Sequence, residues 1–484
     1  MLLGDSAVYI AGRVLPSAVA FVTAVLLTWE LSPDAYGDYG LCMAVVVLGN
    51  NALFDWLALG VLRWFQTHGR DAVFISTVLS LFGAVCAGSA VLLGLATALG
   101  LAGDHAREAW LVLAGLWAYA WFELASRFQI GLFRPWRYLT MNVARSTGIL
   151  AGSVALARLT HAAVPVLAAS FFAMALSGCL FAADGTLPWR PTFDRKLARD
   201  LAAYGGPMGV TMMLYGLTTS ANRLLLGALS TSAAVGAFTI GFTLVQTPLT
   251  ILSAGIGAAS YSAAVRAAES EGPAAARAQL CRNYATLLAL LLPAGIALAL
   301  LAPGIAALAV NPHYQEAVTV TAPWLAASSV LMGMRATYVD TAFQLGKRPW
   351  LLVQVMATSA AANILLGVAL IPRFSTLGAC IAMCLASGLA LAHAVLLAPR
   401  AYPLPFPRRE TAAVVLATAA MAAGLAVARS WPGLAGLVGA IAFASFLYAS
   451  AAVLLNVLGL RAVVRERWIA LRAVPSPRPR QDAK

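Results

Sequence analysis

The sequence predicts an all-helical protein that crosses a membrane about fourteen times, arranged as two six-helix lobes and a C-terminal helix pair. Of its 484 residues, 61% are hydrophobic and 11% are charged, whereas an ordinary soluble domain carries about 25% charged residues. Apolar stretches long enough to cross about 30 Å of hydrocarbon recur between short polar breaks. Lipid offers backbone amides no partner, so these stretches must be helices.

The first predicted lobe covers residues 1–185. Its opening stretch, from Ser6 to Trp29, is too long for the apolar part of a signal peptide, so it is expected to remain as a helix. The six helices of this lobe are predicted to begin at Ser6, Tyr39, Ala72, Glu108, Thr140 and Ala162.

The second predicted lobe covers residues 196–400, and a separate helix pair occupies residues 411–460, ahead of a basic cytoplasmic tail at 461–484. The pair is predicted at Thr411–Ala428 and Leu434–Leu460. The six helices of the second lobe are predicted to begin at Leu201, Ala234, Arg282, Val318, Trp350 and Thr376.

The net charge of +13 could suggest a nucleic-acid binder, but the basic residues gather in alternate loops, as membrane topology requires. One set of loops, together with the tail, holds most of them. The bias places both termini in the cytoplasm. The other set of short loops holds only Arg107, Arg158, Arg373 and Arg429.

Two short patterns recur between the lobes. Gln129 precedes Arg134–Trp136 after the fourth helix, and Gln344 precedes Lys347–Trp350 after the tenth. Leu31-Ser32 with Gly37 and Tyr39 is echoed by Leu229-Ser230 with Gly236 and Phe238. An offset of six helices preserves orientation, so the lobes would be parallel repeats, and transporters place substrate between such halves. Either match alone is better explained by interfacial anchoring, whereas the two matches in matching register favour a repeat.

No catalytic or cofactor chemistry is predicted. The six cysteines all fall in apolar stretches, without the spacing of a disulfide or zinc site. No phosphate-binding loop, dinucleotide turn or zinc-protease motif is present, and no loop approaches domain size. We expect a protein that is not an enzyme and that needs no cofactor beyond a proton or sodium gradient.

The segments Asn363–Leu366, Leu370–Phe374 and Leu377–Ala379, with Ala382, resemble the eleventh-to-twelfth helix signature of Wzx-type polysaccharide flippases. These proteins belong to the multidrug/oligosaccharidyl-lipid/polysaccharide (MOP) superfamily. The first helix and the outer turn that follows it also resemble the corresponding part of these flippases. The residues that carry this second match are Tyr9, Arg13, Pro16 and Leu31–Tyr39.

The resemblance implies an alternating-access carrier that moves an undecaprenyl-diphosphate-linked oligosaccharide to the outer leaflet for surface polysaccharides such as O-antigen or exopolysaccharide. Polysaccharide polymerase machinery is then a candidate partner, and the carrier is expected to be a monomer. In one respect the chain departs from the family. Its relatives often carry an acid before the arginine near the end of helix seven, where this chain has Asn222 before Arg223.

Ionisable side chains inside membrane helices are costly unless they pair or face an interior, so each is a functional candidate. The predicted spans also contain the polar cavity candidates Asp55, Glu123, Asp340, Asn222 and Asn363. Four arginines lie two or three turns from the cytoplasmic side and one lies near the outer end of helix seven. The first four are Arg13, Arg127, Arg145 and Arg335, and the fifth is Arg223.

Glu123 and Arg127 stand four apart on one helix, so they are expected to pair, and pairing explains both more simply than substrate does. Arg335 and Asp340 are five apart, about 140° round a helix, and are expected to face different directions. The inner half would then hold a surplus of guanidinium groups. Such groups donate paired hydrogen bonds to phosphate oxygens, so all five arginines are candidate ligands of a lipid diphosphate. The alternative is that their long side chains reach the interface.

Two other functions remain open. A multidrug exporter or lipid II flippase of the same superfamily would share the fold, although an exporter of cations would favour buried carboxylates over arginines. A membrane glycosyltransferase or polymerase is disfavoured by the short loops.

Overall fold

The computed structural model describes residues 2–69, 71–101, 103–182, 192–462 and Arg465, and within these ranges it contains helices and no strand. The fourteen predicted crossings are confirmed as fourteen long helices among the described residues. Most of the predicted tail lies outside them. The first six helices are α1 Leu2–Glu30, α2 Pro33–Leu53 continuing as Asp55–His68, α3 Ala72–Ala98, α4 Ala106–Gly131, α5 Pro135–Thr160 and α6 Ala163–Ala182.

The other eight helices follow in the same alternating direction. α11 and α12 share one long helical segment, Pro349–Leu397, and occupy residues 349–374 and 376–397. The remaining six are α7 Arg195–Leu229, α8 Ser232–Glu271, α9 Pro273–Ala309, α10 Pro312–Leu345, α13 Arg408–Ala428 and α14 Gly433–Leu454.

The break between α11 and α12 is a hairpin rather than a bend. Ser375 has a left-handed φ of 48°, which reverses the chain. Thr358 on α11 and His393 on α12, placed symmetrically about that residue, are joined by a hydrogen bond of 2.9 Å between the hydroxyl and Nδ1. His393 therefore packs against its neighbour, as its isolated position in the sequence suggests.

Several helices begin earlier than predicted, because their polar first turns resemble loops in the sequence. Ser32 caps α2 by accepting a hydrogen bond from the Ala35 amide at 3.2 Å, and Asn311 caps α10 in the same way. Such caps satisfy the free amides of a first turn. The early starts are at Pro33 instead of Tyr39, Pro135 instead of Thr140, Arg195 instead of Leu201, Pro273 instead of Arg282 and Pro312 instead of Val318.

By length and apolar composition alone, nine of the described helices could cross a membrane. The number is ten if the two parts of bent α2 are counted together as one span. The α11–α12 hairpin counts once in that figure. The remaining long helices are α1, α5 and α7, which carry Arg13, Arg145 and Arg223. The lower hydropathy of α5 and α7 fits helices that face a polar interior rather than lipid.

Within the first six helices, α1 packs on α5, α5 on α6, and α2 and α6 on α4. Among the next six, α7 packs on α11, α8 and α10 on α9, and α10 on α12. The pair α13–α14 packs on α9. The lobe boundary at 185 falls outside the described residues, and the lobe limits stay predictions.

The two repeated sequence patterns form matching backbone structures. Phe133 and Lys347 both have φ of 53° immediately before the Arg-Pro-Trp sequence. The Arg134 amide donates to the Gln129 carbonyl at 3.1 Å, and the Arg348 amide to the Phe343 carbonyl at 2.8 Å. The turns therefore match with Gln129 opposite Phe343, one residue away from the predicted match with Gln344.

The halves meet where α2 and α8 cross, near the predicted outer side. A Cβ placed on Gly37 would lie 1.7 Å from the Ser232 carbonyl oxygen, and one on Gly236 would lie 2.7 Å from that of Pro33. The Ala233 amide also donates to Asp34 Oδ1 at 3.0 Å. The reciprocal pattern is that of a local two-fold axis, and only glycine allows the helices to approach so closely.

Candidate substrate cavity

A cavity of about 710 Å³, which we call the cation cavity, lies between both halves of the bundle. Pro16 on α1, Tyr39 on α2, Glu123 on α4, Arg145 on α5 and Thr250 on α8 are among its lining residues. The crossing of α2 and α8 closes the bundle at the predicted outer side. The cavity is therefore a central interior space of the size that holds small-molecule ligands.

Three charged side chains meet at the wall of the cation cavity. Arg127 Nη2 lies 3.4 Å from Glu123 Oε2, which confirms their predicted pairing. Arg145 Nη1 approaches Glu123 Oε1 at 4.0 Å, and its guanidinium stacks over the Phe122 ring at 4.2 Å from the centroid. One carboxylate thus faces two guanidinium groups at the described part of this wall.

The two guanidinium groups keep unused hydrogen-bonding capacity. Arg127 Nε and Arg145 Nε are buried and have no hydrogen-bond partner in the described structure, so a ligand in the cavity would meet the terminal nitrogens of each guanidinium group. Both side chains are partly exposed to the cavity, at 25% for Arg127 and 20% for Arg145. A planar fork with free donors that faces a cavity is suited to an oxyanion.

Asp55 lies behind this cluster, at the break where α2 bends by 49°. Asn50 Nδ2 donates to Asp55 Oδ1 at 3.2 Å, which ties the two sides of the break together. Asp55 does not line the cation cavity and forms no ion pair among the described residues. Its carboxylate reduces the net positive charge of the region without blocking the guanidinium groups.

Arg13 falls on α1 between Gly12 and Val14, and both of these neighbours line the cation cavity. The Arg13 side chain itself lies outside the described residues. Its predicted role as a diphosphate ligand therefore rests on position alone.

Arg223 lines an adjoining space of about 390 Å³, which we call the upper cavity. Its Nε donates to Thr239 Oγ1 at 3.2 Å, and its guanidinium lies 4.5 Å from the centroid of the Phe242 ring. No carboxylate pairs with it within the described ranges. The two contacts fix a cation against α8 near the predicted outer side.

The prediction that Arg335 and Asp340 face different directions is wrong. Arg335 Nη1 lies 3.6 Å from Asp340 Oδ2, and both side chains are 5% exposed. Residues 335–339 form a π-helical turn, in which the Asp340 amide donates to the Arg335 carbonyl. Such a turn brings residues five apart onto nearly the same face. Asp340 therefore neutralises Arg335, which no longer adds to a cationic surplus.

Asn222 and Asn363 line neither the cation cavity nor the upper cavity. Asn222 is fully buried on α7 with neither amide atom hydrogen-bonded in the described structure. Asn363 Nδ2 donates to the Thr218 carbonyl at 3.4 Å, joining α11 to α7. The described residues also hold no group of three or more His, Cys, Asp or Glu side chains able to bind a metal.

Sequence reasoning missed a stripe of small and hydroxyl residues on α8. These residues recur at helical spacing and line the interior. The signal was available, because positions three, four and seven apart share one helix face. The stripe consists of Thr250, Ser253, Ala254, Gly257 and Tyr261.

Changing Glu123→Gln is expected to tighten binding of a diphosphate anion about three- to tenfold, because one negative charge at the wall contributes around 1 kcal/mol. Equilibrium titration at low and high salt would measure this effect, which salt should diminish. Weaker binding would show instead that Glu123 is needed to position Arg127 and Arg145.

A helical bundle of paired halves around an interior cavity is an arrangement found in membrane transporters. Residues 132–319 match the family model described as polysaccharide biosynthesis protein. No curated protein sequence matches the chain. The fold is similar to that of "Lipid II flippase MurJ, inward closed conformation", with a TM-score of 0.79 at 11% identity over 94% of this chain and 99% of that one.

Structures of multidrug transporters are similar as well. An inward-facing MATE family transporter of the MOP superfamily gives a TM-score of 0.57 at 13% identity over 81% of this chain and 98% of its own. A point mutant of the Vibrio cholerae MATE transporter VcmN gives 0.57 at 14% identity over 83% and 96%. The chain is a multi-pass membrane protein with the fold that these MOP superfamily transporters share, as its sequence resemblance implied.

Proposed function

We propose that the protein is a flippase that moves an undecaprenyl-diphosphate-linked oligosaccharide from the cytoplasmic to the outer leaflet of a bacterial inner membrane by alternating access. The observation that carries the proposal is the pair of guanidinium groups, Arg127 and Arg145, on the wall of the cation cavity. A diphosphate needs several fixed donors that cannot lose their protons, and arginine supplies them. The matched family description supports a place in polysaccharide biosynthesis.

The five arginines then divide their roles. Arg127 and Arg145 hold the diphosphate, Arg13 is a further candidate ligand by its position on α1, and Arg223 meets the head group nearer the predicted outer side. Arg335 is neutralised by Asp340 and serves another part of the substrate.

An ion gradient would drive the cycle through a carboxylate. Asn222 cannot take up a proton, so Glu123, Asp55 and Asp340 are the coupling candidates within the described spans. Glu123 is the best placed, because it contacts both proposed diphosphate ligands.

Transport of lipid II is the second candidate, since lipid II is named for the similar flippase structure. The likeness to that structure covers 94% of this chain, against 81–83% for the MATE structures described above. A cationic drug is a poorer fit, because the described wall of the cation cavity holds two cations and one carboxylate.

Arg145→Gln tests the proposal. In liposomes carrying a fluorescent polyprenyl-diphosphate oligosaccharide, we expect the flipping rate to fall about ten- to hundredfold, the effect of losing charge-assisted hydrogen bonds. Arg158→Gln is the matched control, because it lies on the same helix but at its exposed end, paired with Glu30. Equal rates for wild type and Arg145→Gln at equal reconstitution would refute the role of the cation cavity.

A further inference from the structure

A third cavity, of about 340 Å³, lies between α7, α8, α10 and α11, and the diphosphate does not account for it. Thr250 lines this space, the cation cavity and the upper cavity alike. The three spaces are therefore neighbours that meet at Thr250. A substrate whose diphosphate sits by Arg145 can extend an attached group into this third space.

Hydroxyl-bearing side chains supply nearly half of the lining of this space, which we call the hydroxyl cavity. Seven of its fifteen lining residues are Ser, Thr or Tyr. Ser253 and Thr337 bond to each other at 2.8 Å between their hydroxyl oxygens, across α8 and α10. The hydroxyls of Thr250, Tyr215 and Tyr261 have no protein hydrogen-bond partner in the described structure.

Two tyrosine rings project into the same space from different helices. Tyr215 on α7 is 38% exposed and Tyr261 on α8 is 40% exposed, although both line an interior cavity. An exposed aromatic ring with a hydroxyl tip offers an apolar face and a hydrogen bond together. Sugar rings present the matching surfaces, an apolar C–H face and an edge of hydroxyls.

The cavity carries no net charge from its buried ion pair. Arg335 lines it and Asp340 lies against Arg335 at 3.6 Å. Arg335 Nη1 and Asp340 Oδ1 are buried without hydrogen bonds in the described structure. A carboxylate-bearing ligand would have to displace Asp340 from Arg335, whereas an uncharged ligand leaves the buried pair as it stands.

We propose that the hydroxyl cavity is a subsite for uncharged sugar units next to the diphosphate. The inference rests on the proposed function and adds the class of glycan: neutral sugars in preference to uronic acids. The π-helical turn at 335–339 supports it, because such turns reshape helices at functional sites.

Equilibrium binding by the full-length purified protein tests this subsite. Three labelled polyprenyl diphosphates serve as probes: one without sugar, one with a neutral glucose trisaccharide, and one in which glucuronate replaces a glucose. We expect wild type to bind the neutral probe about tenfold more tightly than the bare lipid and more tightly than the glucuronate probe.

Two double variants should remove the tighter binding of the neutral probe while leaving the affinity for the bare lipid unchanged. Tyr215→Leu with Tyr261→Leu removes the two exposed rings, and Ser253→Ala with Thr337→Val removes the hydroxyl pair. Thr147→Val is the control, since its exposed hydroxyl bonds only to its own helix. Arg145→Gln should weaken all three probes alike.

The outcomes separate this inference from the function on which it rests. The subsite alone would be overturned if wild type bound the bare lipid as tightly as the neutral probe. It would be overturned as well if both double variants still bound the neutral probe more tightly than the bare lipid. Tighter binding of the glucuronate probe would also overturn it. Failure of wild type to bind any diphosphate lipid would overturn the proposed function and the subsite with it.

Discussion

Replacing Gly37 by valine is expected to lower the population of the state closed at the predicted outer side about ten- to hundredfold, and to slow transport with it. Even a methyl group at this position would lie 1.7 Å from the Ser232 carbonyl oxygen. Backbone cannot yield as a flexible side chain can, so α2 and α8 must separate. The bundle then loses the crossing that closes it at this side.

The measurement is the accessibility of a cysteine placed at Thr239 to a membrane-impermeant thiol reagent, combined with a flipping assay. A cysteine-free background is required, because the chain has six cysteines. Gly83→Val on α3 is the matched control, since no neighbouring atom lies within 4 Å of the position that a Cβ would take there. Unchanged accessibility and transport in Gly37→Val would contradict the role assigned to the crossing.

Asp340→Ala is expected to destabilise the protein by about 3–5 kcal/mol, because it leaves the buried Arg335 guanidinium without its counter-charge. Both residues are nearly inaccessible. The double variant Arg335→Met with Asp340→Leu should recover most of that stability, since an apolar pair of similar volume removes the need for compensation.

Thermal and denaturant unfolding in detergent would measure both effects. Glu316→Ala is the control, an exposed acid on the same helix for which a change within about 0.5 kcal/mol is expected. A double variant as unstable as Asp340→Ala would show that the two side chains do not act as a pair. A double variant that is stable but has lost the preference for neutral sugars would separate folding from recognition.

The number of helices could be predicted because a span must be long and apolar whatever packs around it. Helix starts were less predictable. The first turn of α2 contains Asp34 and Tyr36, which read as a polar loop, yet Ser32 caps the turn and the α2–α8 crossing buries Tyr36. Tertiary contacts decide such ends.

The candidate site was predictable only in part. The spacing of Glu123 and Arg127 predicts their pairing because that stretch is a regular helix. The same reasoning fails at Arg335 and Asp340, since no local sequence pattern predicts a π-helical turn. The approach of Arg145 to Glu123 joins two helices, and nothing in the sequence specifies that packing.

The hydroxyl cavity was overlooked for a different reason. Ser253 and Thr337 on separate helices each resemble the residues that join membrane helices, and they do join α8 to α10. Only the packing of α7, α8, α10 and α11 shows that the same groups enclose a space.

The central claim is that the substrate is a lipid diphosphate, and flipping by the wild-type protein tests it most directly. Purified protein in liposomes would be given a labelled polyprenyl-diphosphate oligosaccharide, its monophosphate counterpart or a cationic dye. We expect rapid movement of the diphosphate probe, slower movement of the monophosphate and no transport of the dye. Transport of the dye without movement of either lipid would contradict the account.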